Sequence, residues 1–275
     1  MRKGRRKAGA GTEAAAWAEW FYTCPRLMYF CPMRGEMRRN RFRADREERI
    51  FLLLPVKQQD TAMKLLAVNG SPRKHNNTGQ LLEKIVEGAS SKGAQAELVQ
   101  LKKLAYSGCV SCFHCKKIGG KHYGRCALRD DLTPVLDKAH EADVLVLGTP
   151  FYFSAESAFM RALMERLWFQ YYLYSAKKLP LSPRKKATAL IYTMNVPEKD
   201  IPLYGKDKAI ATAKGVMERL FAPCEVFLCC DTRQFDDYGK YETDIWDVEA
   251  KLRRHKEVFP QDLARAFDLG VRLAG

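Results

Sequence analysis

Four cysteines fall within eighteen residues of one another: Cys109, Cys112, Cys115 and, after ten further residues, Cys126. Thiolates at such spacing can ligate a metal, and His114 and His122 in the same stretch make zinc chemically possible. The same residues also read as four reduced thiols with no metal. A second stretch, Gly70-Ser71-Pro72-Arg73-Lys74-His75-Asn76-Asn77-Thr78, follows a short apolar run and opens a helical pattern. A helix N-terminus carries N–H groups without partners and a partial positive charge, so it favours phosphate. Ser71, Asn77 and Thr78 add side-chain donors, and Arg73 adds a fixed cation. Taken singly, Ser71 or Asn77 reads as an ordinary turn or cap residue. The stretch lacks the Gly-Lys-Ser/Thr of a Walker A loop and the GxGxxG of a dinucleotide fold, which argues against a resident nucleoside triphosphate or dinucleotide. No Ser-His-Asp order and no HExxH stands out. Asp130 and Asp131 precede Leu132-Thr133-Pro134 and read as acids at a helix start. His75 reads as a solvated loop residue; His140 and His255 read as helix-surface residues without a role. Cys224, Cys229 and Cys230 read as packed thiols.

The elements that must position these residues alternate. Leu65–Val68, 96–101, Asp143–Leu147, Ala187–Tyr192 and Glu225–Cys229 read as strands. Between and after them, 78–90, Ala155–Phe169, Lys206–Phe221, Val248–His255 and Gln261–Leu273 read as helices. This alternation predicts an α/β fold with a doubly wound parallel sheet of five strands in the flavodoxin-like order 2-1-3-4-5. Ligands of such sheets sit at the carboxyl ends of the strands.

The loop and a second segment carry a resemblance. GSPRKHNNT resembles the phosphate loop of flavodoxin-like FMN reductases. Thr149-Pro150-Phe151-Tyr152-Phe153, followed by a helix carrying Met160, Arg161 and Glu165-Arg166, resembles that family's second signature. The resemblance spans residues 63–275. It implies bound FMN, with phosphate on Ser71, Arg73, Asn77 and Thr78 and the ring edge against Pro150, Phe151, Tyr152 and Phe153. A third contact is implied at Thr193 and Met194, in a segment less Gly-rich than the family form. Asn76 stands where flavodoxins often have Gly, and Asn tolerates a left-handed backbone. The C-x2-C-x2-C run resembles iron–sulfur flavoproteins, which implies a [4Fe–4S] cluster on Cys109, Cys112, Cys115 and Cys126, although the gap to Cys126 is longer than their compact spacing. Reduced thiols without metal rank first in this reading, the cluster second and zinc third. Trp168, Phe169, Tyr171, Tyr172 and Tyr174 form an aromatic group read as core or subunit interface, with a partial cover over the flavin as a further reading.

The function this implies is an FMN-dependent NAD(P)H oxidoreductase passing hydride to a quinone, flavin, nitro compound or similar acceptor. No catalytic side chain is assigned, because the cofactor does the chemistry. The alternatives are an iron–sulfur electron carrier and a non-catalytic flavin-fold binding protein. A homodimer or homotetramer and a small-molecule or redox-protein partner are expected.

The chain has 275 residues and a formal net charge of +15. Residues 1–62 hold 11 Arg and 3 Lys against 7 acidic residues, so nearly half of that excess lies outside the predicted fold. They read as a basic extension, either disordered or the result of a start assigned upstream of Met63. No apolar run is long enough to span a membrane. A cytoplasmic location is expected, and the loop chemistry redirects the basic charge from nucleic acid toward a flavin phosphate.

Overall fold

The computed structural model describes residues 62–275 apart from Leu179 and Ala222. The basic extension over residues 1–62 therefore lies outside the described residues, save for Ala62. Five parallel strands form one sheet: β1 (Lys64–Asn69), β2 (Gln95–Gln100), β3 (Val144–Tyr152), β5 (Ala187–Thr193) and β6 (Cys224–Cys229). A two-residue strand, β4 (Ala155–Glu156), pairs antiparallel with the end of β3. The order is β2-β1-β3-β5-β6. With the short β4 set aside, this is the flavodoxin-like 2-1-3-4-5 order that the alternation predicts.

Burial explains the strand assignments. β1, β3 and β5 are covered on both faces, and nearly every residue in them is buried, which is why they read as continuous apolar runs. Leu65, Ala67, Val144, Val146, Ala189 and Ile191 face one layer, built from α1 (Asn77–Ser90) and α6 (Phe259–Ala274). Leu66, Val68, Leu145, Leu147, Leu190 and Tyr192 face the other, built from α2 (Thr133–Glu141), α3 (Ala158–Tyr171) and α4 (Lys206–Leu220). A further helix, α5 (Val248–Glu257), leads into α6. No helix among the described residues is long and apolar enough to cross a membrane.

Register fixes where the loops meet. Asn69 pairs with Gly148, and Pro150 pairs with Thr193. The loops after β1, β3 and β5 therefore leave the same edge of the sheet side by side.

Three expectations are corrected. The third strand does not end at Leu147 but runs on to Tyr152, because Pro150 still pairs with β5 while Phe151 and Tyr152 pair with Glu156 and Ala155 of β4. The following helix does not begin at Ala155 but at Ala158, with Ser157 as its cap accepting from the Met160 N–H. Asn76 uses no left-handed backbone; its φ is −92° and it caps α1 from an extended conformation.

Candidate functional site

The loop after β1 is held by its own side chains. The Asn69 Oδ1 accepts from the Ser71 N–H at 2.8 Å, and the Ser71 Oγ accepts from the Arg73 N–H at 3.2 Å. Ser71, Asn77 and Thr78 are buried. Gly79 lets the loop fold back onto α1, since a Cβ there would overlap the Lys74 carbonyl oxygen. The hydroxyls of Thr78 and Thr193 lie 2.7 Å apart, which ties the start of α1 to the end of β5. The Asn69 Nδ2 is buried and has no partner among the described residues. Buried hydroxyls, an orphaned amide donor and a helix N-terminus on one loop fit an anionic oxygen ligand.

Sequence reasoning missed the segment that covers this loop. The Arg73 Nη1 donates to the Gln234 carbonyl at 2.9 Å, and the Asn77 Nδ2 donates to the Arg233 carbonyl at 3.1 Å. Backbone carbonyls leave no residue-type signal, so the sequence carried none for this contact. Lys251 anchors the same segment: its ammonium donates to the Asn195 carbonyl and pairs with Asp231.

The residues expected at the ring divide into two sets. Tyr152 is partly exposed and Phe153 fully exposed on the β3–β4 hairpin, whose turn holds Phe153 and Ser154 at φ +49° and +62°. Two left-handed residues without Gly or Asn are costly, and such strain gathers at functional sites. Phe151 and Met194 are instead turned inward. The Phe151 ring meets Tyr192 edge-on at 5.1 Å. The Tyr192 hydroxyl donates to the buried Glu156 carboxylate at 2.9 Å, and burial beside that carboxylate pushes the phenol well above its usual range. Pro150 is buried in β3, paired with Thr193 of β5. Lys206 stands over the Phe151 and Tyr204 rings at 5.4 Å, with its ammonium 3.3 Å from the Ser154 Oγ; burial lowers its pKa.

The cysteines converge. Cys109, Cys112, Cys115 and Cys126 line one small cavity, together with Phe113, Arg166, Phe169 and Gln170. All four are free thiols. Ser111 and Phe113 take positive φ values of 52° and 57°, so the run coils between its cysteines at a backbone cost. Helix α3 forms the opposite wall. The Phe169 ring meets Phe113 edge-on at 5.6 Å, the Glu165 Oε2 accepts from the Cys109 N–H at 3.3 Å, and the Gln170 Oε1 accepts from the Cys126 N–H at 3.0 Å. The Arg166 Nη1 pairs with the Asp130 Oδ2 at 2.6 Å. Asp130 thus does more than mark a helix start: its other oxygen accepts from the Leu132 N–H at 3.1 Å. Burial, and then the three neighbouring cysteines, raise the Cys115 thiol, while Lys116 beside it pulls the other way. The Lys116 ammonium donates to the Phe169 and Tyr172 carbonyls at the C-terminal end of α3.

The donor set is all sulfur. Neither His114 nor His122 lines this cavity. Among the described residues, no three His, Cys, Asp or Glu side chains converge closely enough for a single ion. Zinc at about 2.3 Å from each sulfur would need the four sulfurs roughly 4 Å apart. A four-iron cluster, with iron and inorganic sulfide between the thiolates, holds them farther apart. Four thiols lining one cavity supply the all-sulfur donor set that a [4Fe–4S] cluster takes.

The remaining assignments are structural. His140 is not a surface residue; it is half-buried, with Nδ1 3.0 Å from the Tyr171 hydroxyl. His255 stacks on Phe259. Of the aromatic group on α3, Tyr171 is core, and Phe169 belongs to the cysteine cavity.

Comparison with known proteins agrees with the fold. An iron–sulfur flavoprotein of Archaeoglobus fulgidus is 42% identical over 104 residues, covering 38% of this chain and 48% of that protein. One from Methanocaldococcus jannaschii is 34% identical over 104 residues, covering 38% of this chain and 51% of that protein. The chain thus spans about half the length of the curated relatives it matches. Among solved structures, an NAD(P)H:quinone oxidoreductase from Methanothermobacter marburgensis superposes with a TM-score of 0.58 at 16% identity, over 77% of this chain and 99% of that one. An azoreductase from Bacillus anthracis gives 0.54 at 16% identity, over 76% and 99%. At such identities these two speak for the fold alone. Residues 63–194, which hold the loop after β1, the cysteine loop and α3, match the family model described as NADPH-dependent FMN reductase. That match covers just under half of the chain, and the sheet that carries it has the flavodoxin-like strand order.

Proposed function

We propose that this chain is an FMN-dependent oxidoreductase with a second redox centre, a [4Fe–4S] cluster on Cys109, Cys112, Cys115 and Cys126. The observation that carries this reading is the single cavity lined by all four cysteines and walled by α3. The same helix reaches the flavin loop. The Ser157 Oγ at its cap donates to the Gly70 carbonyl at 2.6 Å, while Arg166, Phe169 and Gln170 near its far end line the cysteine cavity. At 1.5 Å per residue, nine to thirteen residues separate the two by about 14–20 Å along the axis. FMN supplies two-electron chemistry with one partner and one-electron chemistry with another, and the cluster supplies single electrons.

The chain's own residues bind and orient. Ser71, Thr78 and the first-turn N–H groups of α1 hold the phosphate, and Arg73 offsets its charge. Tyr152 and Phe153 offer apolar faces to the ring. Thr193 is fixed by its bond to Thr78, so the loops after β1 and β5 keep one spacing. The electron acceptor is a small molecule such as a quinone or nitro compound, or a redox protein.

A second reading is an NAD(P)H-dependent reductase with no cluster, favoured by the family's description as NADPH-dependent. Anaerobic rapid mixing separates the two. If the cluster reading holds, a one-electron donor such as reduced methyl viologen bleaches the flavin of wild type faster than that of Cys115→Ser. Equal rates in both proteins, with fast reduction by NADPH, support the second reading.

A further inference from the structure

Two buried donors of α3 lack acceptors at the cysteine cavity. Arg166 and Gln170 are 1% and 2% exposed, and they stand four residues apart on one helix face. The Cys126 N–H needs an oxygen, which identifies the Gln170 amide oxygen and leaves Nε2 as the other end. That Nε2 is buried and has no partner among the described residues. The Arg166 guanidinium donates from Nη1 to Asp130 and to the Ser107 carbonyl, and from Nη2 to the Leu128 carbonyl, but its Nε is buried with no partner. A buried N–H left unpaired costs about 1–3 kcal/mol. Native proteins rarely leave two on adjacent turns without a reason such as an ion or group that completes them.

Both side chains line the space shared by the four thiols. Thiolates and inorganic sulfides are hydrogen-bond acceptors. Resting on the reading above, we propose that Gln170 Nε2 and Arg166 Nε donate N–H···S hydrogen bonds to a [4Fe–4S] cluster and raise its reduction potential. Reduction adds one electron to the cluster and makes its sulfurs better acceptors. Donors aimed at those sulfurs therefore stabilise the reduced form more than the oxidised form. Both residues act on potential and on cluster placement, not on substrate. The Arg166 charge is partly offset by Asp130, so the neutral Gln170 gives the cleaner test.

The test uses anaerobically purified full-length holoprotein. Iron, sulfide and flavin are assayed first, and the cluster midpoint is then read by a potentiometric titration followed by electron paramagnetic resonance. Gln170→Leu removes the donor, and Gln170→Glu replaces it with an acceptor while keeping the oxygen that serves Cys126. The expected result is wild-type iron content in Gln170→Glu and a midpoint more negative than wild type in both variants, further in Glu than in Leu. The flavin midpoint should move less. Should Gln170→Leu lose iron, the exchangeable protons coupled to the reduced cluster decide, read by electron–nuclear double resonance before and after transfer to deuterium oxide: a coupling present in wild type and lost in Gln170→Glu supports the proposal, and couplings identical in the two proteins overturn it. An unchanged midpoint in variants that retain the cluster overturns the proposal and leaves the cluster reading standing; Nε2 then faces a trapped water or the basic recess of Lys121, Arg125 and Arg129 that also borders Gln170. Wild-type protein without iron overturns the cluster reading and this proposal together.

Discussion

Arg166 carries a full charge with no solvent contact, and Asp130 is the one carboxylate paired with it among the described residues. Removing one member of such a pair strands the other. Asp130→Asn is expected to lower stability by roughly 3 kcal/mol, the low end for a buried pair because Asp130 keeps some exposure; chemical denaturation checks it. At the flavin end, Arg73→Ala combined with Thr78→Ala removes a cation and a hydroxyl from the phosphate loop. Each charge-assisted bond is worth about 1.5–3 kcal/mol, so FMN affinity should fall about 100-fold or more, as read by fluorescence titration. These residues were singled out in the string Gly70–Thr78 because their hydroxyls, amide and guanidinium suit an anionic oxygen ligand. The carbonyls of Arg233 and Gln234 were not legible, since any residue supplies a carbonyl and only the path of the chain brings these two to Arg73 and Asn77. Phe151 shows the same limit from the other side. Its type suits a ring contact, but the strand's alternation turns it toward Tyr192 and leaves Tyr152 outward.

At the scale of elements, α1 and α6 cross at two glycines. A Cβ on Gly88 would overlap the Phe267 carbonyl, and one on Gly270 would overlap the Ile85 carbonyl. Backbone cannot retreat as a side-chain tip can, so Gly88→Ala and Gly270→Ala should each cost about 1–3 kcal/mol, seen as lowered thermal midpoints. Helix α2 ends on Lys186, whose buried ammonium donates to the Ala139 carbonyl at 2.5 Å and the His140 carbonyl at 3.1 Å. Burial lowers its pKa from 10.5 to about 8. Between those values the unfolded chain holds this proton and the folded chain has released it, so this group's contribution to stability rises with pH from about 8 to 10.5. Below pH 8 both states are protonated and the cost of burying the charge is present in full. Denaturation curves of Lys186→Met should lose that part of the pH dependence. The long elements were readable because burial on both faces writes continuous apolar runs. The β4 hairpin was not, because Ala155-Glu156 suits a helix and the Phe153-Ser154 turn lacks the Asn-Gly signal; pairing with β3 decides it.

At the scale of the whole molecule, one helix connects two sites that the sequence presents as separate motifs. The parallel order places the phosphate loop and the β3–β4 hairpin at one sheet edge, and α3 leads from there to the cysteines. The spacing Cys109-x2-Cys112-x2-Cys115 and Cys126 as its fourth thiol were legible, but what brings Cys126 to the other three was not. It depends on Gln170 holding the Cys126 N–H and on Arg166 holding Asp130 and the Leu128 carbonyl. Two redox centres on one chain are tested by the iron, acid-labile sulfide and flavin content of freshly purified anaerobic protein, with its absorbance spectrum, in wild type and Cys115→Ser. About four irons and four sulfides with one FMN per chain are expected in wild type, and flavin without iron in the variant. Flavin without iron in wild type, or one zinc per chain, would contradict that expectation.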